Sequence, residues 1–209
     1  GTELTLTLRD DVSFTDGSAL DADAVKLNLE RFLTGNGPQA STFGQVADVQ
    51  APDSTTVVIN LKAPDPALLD YLGNAAGFIA SPKAIESGDI ATTPVGSGPY
   101  VLEKSATVAG SKYTFVRNED YWDPALQVYD SIVVKPLIDT TAMLNALLSG
   151  QINAGILSAK SRDQAVKAGM TEYRYPIDWL GLLLFDRDGE KVPAFADVSR
   201  WLTGQIPQM

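Results

Sequence analysis

The side chains of this chain that could do chemistry fall into a few short clusters. Carboxylates gather at Asp10 with Asp11, at Glu119 and Asp120 with Asp123, and at Asp186 with Asp188. Two carboxylates facing each other across a cleft can cleave a glycosidic bond, but sequence spacing does not bring any two of these clusters together. None has the calcium-loop spacing, with its internal glycine and terminal Glu. Each lies in a turn, where an Asp side chain caps backbone N–H groups, so solvated turns are the expectation. Gly96-Ser97-Gly98-Pro99-Tyr100 is the next cluster. It fails as a dinucleotide fingerprint, because Pro99 removes a backbone N–H and no third glycine follows. It fails as a nucleophile elbow, because Val95 and Pro99 stand where the flanking glycines belong. A tight crossover into a strand over Tyr100, Val101 and Leu102 is expected instead, with glycines for unusual backbone angles and Pro99 for stiffness. The aromatic rings of Tyr113, Phe115, Tyr121, Trp122, Tyr129, Tyr173, Tyr175 and Trp179 lie beside or within predicted strands, where core packing is the default. Trp179 alone has a second reading: it follows Pro176, Ile177 and Asp178 in a loop entering a strand, where a ring could line a ligand cleft.

The missing residue types exclude more than the present ones suggest. The chain has no His and no Cys. Imidazole general bases, thiolate nucleophiles, disulfides and ordinary zinc sites are therefore ruled out, and with them Ser-His-Asp and Cys-His chemistry. No cofactor and no metal site is expected. Sixteen basic against twenty-six acidic side chains leave a formal charge of -10. Such a surface repels phosphate backbones, so nucleic acid is not an expected partner. With 44% hydrophobic and 20% charged residues over 209 positions, the chain can bury one large core or two small ones. An absence of cysteine suits an exported protein without fixing its compartment. No run of eighteen apolar residues and no leader pattern is present, so neither a membrane span nor a targeting signal is expected in these residues. Both ends are expected to be cuts through something larger.

The elements that must position these side chains are short. Leu4, Leu6 and Leu8 alternate with polar residues at the period of a half-buried strand. Asp10-Asp11 turns it, Val12 and Phe14 continue it, and Asp16-Gly17 turns it again. Asp21 reads as the N-cap of a helix whose apolar stripe is Ala22, Val25, Leu29 and Phe32, ended by Gly35, Asn36, Gly37 and Pro38. Strands are predicted at 46–49 and 55–61, the latter with Val57, Ile59 and Leu61 on one face. Asp65-Pro66 and Ser81-Pro82 each join an N-cap to a proline at the first helical position, predicting helices at 67–72 and 83–86. Between them, 77–80 reads as a buried strand. Strands follow at 112–117 and 132–137, then a helix over 140–149 with Asp139 as cap and Gly150 as stop. Strands at 152–157, 171–175 and 180–185 surround a helix at 162–168 closed by Gly169, and a last helix follows Asp197. Eight or nine strands intermixed with five or six helices give the class mixed α/β, a mixed sheet with covering helices. The Pro- and Gly-rich stretch 92–99 is the weakest internal boundary.

Four motifs in order carry a resemblance. LTLTLRDDVSFTDG at 4–17 with LDADAV at 20–25, PVGSGPY at 94–100, RNEDYW at 117–122 and ALLSGQIN at 146–153 resemble the LR…V.F.DG…A.DV, P.GTGPY, RN.DYW and AL..GEID patterns of one family. That family is the extracytoplasmic substrate-binding proteins of ABC importers of the oligopeptide-, dipeptide- and nickel-binding type, family 5. PAFADVSR at 193–200 resembles its PF.D..VR. The chain departs from the patterns at Ser97, Gln151 and Asn153, which replace Thr and two acids. Asp186 stands where Asn is frequent, and Trp201 where a Gln-Ala pair is common.

The resemblance implies a partial first lobe of a type II periplasmic-binding-protein fold over 1–209, without the start of that lobe and without the second lobe. It implies hinge closure on an extended solute, a peptide or similar small molecule, and docking on a membrane permease with its ATPase subunits, with no catalysis. The protein would be an extracytoplasmic monomer, periplasmic or lipid-anchored, and this chain would supply scaffold and one cleft wall. Trp179 and Tyr175, just ahead of the hinge segment, are the ligand-contacting residues it points to. Two rivals stand behind it. A carboxylate-dependent, glycosidase-like enzyme or accessory domain would show two acids about 5–10 Å apart in one pocket. An extracellular interaction module would show a contiguous exposed apolar patch.

Overall fold

Leu4 and Leu6 are half-buried while Glu3, Thr5 and Thr7 are exposed along Glu3–Thr7, strand β1, so the alternation of residue types is an alternation of faces. The computed structural model describes residues 1–37 and 39–173. The chain divides into two compact units, Gly1–Ile138 and Asp139–Met209, and the 92–99 stretch lies inside the first.

In the first unit, Ala22–Thr34 forms helix α1. Asp21 precedes it with extended backbone and accepts the Ala24 amide on its side chain, the capping read from the sequence. Val46–Asp53 (β2) and Thr56–Leu61 (β3) form a hairpin. Its two-residue connection is braced by Asp53, whose Oδ1 accepts the Thr55 amide at 2.9 Å. β3 is central in an antiparallel sheet of order β1-β3-β2, with Leu4 opposite Ile59 and Leu6 opposite Val57. The core lies against this sheet: Ala22, Val25 and Leu29 of α1 meet Val46, Val49, Val57 and Ile59, all buried. Phe43 closes one end and meets Phe32 edge-on at 5.0 Å. Each fully buried aliphatic side chain there contributes about 1.5–3 kcal/mol.

Leu68–Leu72 (α2) and Pro82–Ser87 (α3) follow, and Leu68 joins the same core. Tyr100–Leu102 (β4), Tyr113–Arg117 (β5) and Ser131–Val134 (β6) form a second antiparallel sheet of order β4-β5-β6. In the second unit, Thr140–Leu148 (α4) starts at Asp139, whose Oδ1 accepts the Ala142 amide at 2.7 Å. Ala159–Lys167 (α5) follows. Gly150 and Gly169 take left-handed backbone angles just past these helices, as helix-ending glycines do. The class is mixed α/β, as predicted.

Some predicted elements are absent, each for a local reason. Residues 77–80 are not a strand, because Gly77 ends a 3-10 turn and the backbone of Ala80 is bonded by a side chain of α1. β6 stops at Val134 rather than 137, where Pro136 has no amide to donate and pairing with β5 ends. Residues 152–157 run without strand pairing; Gly155 instead lies so close to α4 that a Cβ there would be 2.9 Å from the sulfur of Met143. Residues 171–173 are not a strand. Val12 and Phe14 give only an isolated bridge, Ser13 to Ala19. The strand predicted at 180–185 and the helix after Asp197 lie outside the described residues.

Candidate functional site

Polar residues of the three motifs that lie in the first unit meet there, and they bind other parts of the chain. Phe14 is buried, and its amide and carbonyl bond Ser18 and Gly17, folding the chain into a tight loop. Gly17 sits there at φ 80°, a conformation open to glycine. This loop aims Asp16 inward. Asp16 Oδ1 accepts the Ser18 amide and hydroxyl, and Oδ2 accepts the hydroxyl of Ser81, which is fully buried. Ser81 was expected to cap α3. It occupies the N-cap position ahead of Pro82 but makes no side-chain cap bond; its hydroxyl goes to Asp16 instead. Backbone bonds from Ser81 N to Val95 O (3.0 Å) and from Thr15 N to Gly96 O (2.9 Å) tie in the glycine-rich motif.

Desolvation pushes the Asp16 carboxyl up, but the Ser18 and Ser81 hydroxyls outweigh it. With smaller help from the Ser18 amide and the Lys83 charge, they hold its pKa below the usual carboxylate value. A carboxyl lowered in the folded state stabilises fully above its unfolded pKa, about 3.9, and loses that contribution as pH falls through the folded value. Thermal melts from pH 5 down to pH 2 should therefore show a shallower loss of stability in Asp16→Asn than in the parent.

The second convergence lies at β4. Asn118, buried, donates from its amide to Pro99 O and from Nδ2 to Gly98 O, both at 2.9 Å. Gln127 Nε2 reaches the same Pro99 carbonyl at 2.8 Å and Asn118 O at 2.6 Å. The Tyr100 hydroxyl donates to Tyr129 O and accepts from Tyr129 N, each at 2.9 Å. Arg117 adds Nε to Tyr129 O at 3.1 Å and an ion pair to Asp130 at 3.1 Å. The motif's carbonyls are thus what matter. Neither Gly96 nor Gly98 has a positive φ, so the expectation of unusual backbone angles at these glycines is corrected. The crossover into β4 stands.

In two of the acidic clusters a carboxylate serves local structure. Asp11 takes the Arg9 guanidinium on both oxygens, at 2.9 and 2.7 Å. Asp123 caps a 3-10 turn by accepting the Ala125 amide. Among the described residues no group of three or more His, Cys, Asp or Glu could hold a metal ion. Asp186 and Asp188 lie outside the described residues. A shallow open groove of about 600 Å³ runs between α1 and β2, with Glu30 and Asp48 among its lining residues. The Asn60 and Gln50 amides hold Asp48 below the usual carboxylate value.

Core packing fails for three of the rings: Trp122, Tyr129 and Tyr173 are 41%, 65% and 88% exposed. Trp179 and Tyr175, the predicted ligand residues, lie outside the described residues. Among the described residues no buried side-chain nitrogen or oxygen lacks a partner. Sequence reading missed Asn28. Its Nδ2 donates to Ala24 O and Ala80 O, both at 2.8 Å, and its Oδ1 accepts the Ala80 amide at 3.0 Å. The available signal was a polar residue inside the apolar stripe of α1, between Val25 and Leu29.

The family model described as bacterial extracellular solute-binding proteins, family 5 Middle, matches residues 1–199. The glutathione-binding protein GsiB of Salmonella paratyphi A is 35% identical over 156 residues, covering 72% of this chain and 30% of GsiB. Of solved structures, NikA from Brucella suis in complex with Fe(III)-EDTA is 30% identical with a TM-score of 0.65, over 81% of this chain and 36% of that one. The Escherichia coli murein tripeptide binding protein MppA is 27% identical with a TM-score of 0.64, over 72% and 34%. The chain spans about 30% of the length of the curated relatives it matches. The mixed fold is, over that part, the type II periplasmic-binding-protein fold expected from the motifs.

Proposed function

Because the chain belongs to the bacterial extracellular solute-binding proteins of family 5, we propose that it is part of the solute-capturing component of an ABC importer. The protein takes a peptide or similar small solute outside the cytoplasmic membrane, in the periplasm or anchored at the cell surface. It closes about a hinge and delivers the solute to a membrane permease driven by ATPases. The match over residues 1–199 carries this reading. The interlocked motifs support it, since a frame that must keep its shape while lobes close needs its polar groups satisfied internally. On this reading residues 1–209 are a fragment of the first lobe. They supply scaffold and one wall of the cleft, and the solute's charged groups are met mainly by a second lobe. No covalent step is required, and the protein works as a monomer.

A peptide-like solute is favoured because GsiB is named for glutathione and MppA for a murein tripeptide. Within this chain Trp179 and Tyr175 are the residues assigned to the solute. Trp179→Ala in the longer parent protein should weaken binding, and unchanged affinity would remove that assignment. Native mass spectrometry of the parent protein, purified without denaturation, tests the solute class. A retained mass of a di- to tetrapeptide, released on denaturation, is expected. A sugar would contradict the peptide assignment. So would a chelated metal, the cargo class suggested by NikA with Fe(III)-EDTA.

A further inference from the structure

Within the first unit the two sheets are held in different ways. Every buried apolar residue of Gly1–Ile138 comes from residues 14–84; from there to Ile138 the only buried side chain is Asn118. β4, β5 and β6 therefore bring no buried apolar core of their own. Among the described residues, the hydrogen bonds that join them to the first sheet's half are two backbone ones, Ser81 N to Val95 O and Thr15 N to Gly96 O, and one stack is added to these. Arg9, two residues past β1, lies over the Trp122 ring with its guanidinium carbon 4.3 Å from the ring centroid. The fork to Asp11 fixes the guanidinium plane.

We propose that Arg9 and Trp122 form a clasp, and that β4, β5 and β6 open together from the β1–β3 layer when it releases. A stack with a partly exposed cation and ring is worth little enough to break reversibly. The Gly96 carbonyl, which accepts from Thr15 N, can exchange a chain donor for water at small net cost. No side chain of β4, β5 or β6 is fully buried, whereas opening β3 exposes Val57 and Ile59, both at 0%. The second sheet is thus the low-energy opening unit of this body, and the clasp sets how often it opens.

Amide hydrogen exchange on the 209-residue chain tests this. In the parent, amides of β5 should exchange faster than those of β3. Arg9→Gln and Trp122→Leu should each raise exchange in β4 and β5 about two- to fivefold, the range expected for an exposed cation–π pair, and leave β3 unchanged. The double variant should match the singles, because either change removes the same contact. Equal protection of β3 and β5 in the parent would overturn the proposal. So would variants that leave the second sheet unchanged or raise both sheets together.

Discussion

Gly77→Ala will destabilise the protein by about 4 kcal/mol or more, at the far end of what single substitutions do. Gly77 closes the 3-10 turn after α2 with its backbone pressed on the end of that helix. A Cβ built there overlaps the Leu72 carbonyl oxygen and lies 2.9 Å from the Leu72 carbonyl carbon. Both are backbone atoms, so no side chain can rotate out of the way. Relief requires moving α2, whose Leu68 is in the core. Gly98→Ala is the contrast. Gly98 belongs to the most conspicuous motif, yet a Cβ there meets nothing within 4 Å and its φ is not positive. It should cost under about 1 kcal/mol. Urea denaturation followed by far-ultraviolet circular dichroism compares the two; equal midpoints would contradict the packing described for Gly77.

Asn28→Leu should cost about 3 kcal/mol and lower the melting temperature by about 6–12 °C. The side chain is 7% exposed and bonds both the N–H and the C=O of Ala80, doing for that residue what a neighbouring strand would do. Leucine has similar volume and suits the apolar stripe, so packing alone predicts a neutral or stabilising change. The cost comes from the two backbone groups it strands, at about 1–3 kcal/mol each. A melting temperature equal to or above the parent's would show that Ala80 finds other partners.

These two positions show what the sequence could and could not reveal. Features set by neighbours in the chain were legible: the caps at Asp21 and Asp139, the stops at Gly150 and Gly169, and the alternation of Leu4 and Leu6. Each depends on backbone geometry within a few residues. Features set by distant partners were not. Residues 77–80 have a strand's composition, but Gly77 and Phe78 bond back to Asn74 and Ala75 and the backbone of Ala80 is bonded by Asn28, 52 positions away. Ser81 has the pattern of a helix cap, but Asp16, 65 positions away, competes for its hydroxyl and wins. Residues 152–157 have strand character without a paired strand and lie along α4 instead. The family motifs were legible as strings, and their use as fasteners between segments became legible only from the hydrogen bonds. At the proposed site itself, the sequence offered Trp179 and Tyr175 through position alone.

On the proposed reading this chain frames a solute site that it does not complete. Isothermal titration calorimetry addresses it, with glutathione and a pool of short peptides titrated into the 209-residue chain and into the parent protein carrying its second lobe. Saturable heat from the longer protein and none from the shorter, both shown to be folded, is the predicted result. Equal saturable heat from the 209-residue chain alone would contradict the claim that its polar groups serve the frame, and a flat trace from a folded, solute-free parent protein would contradict the peptide assignment.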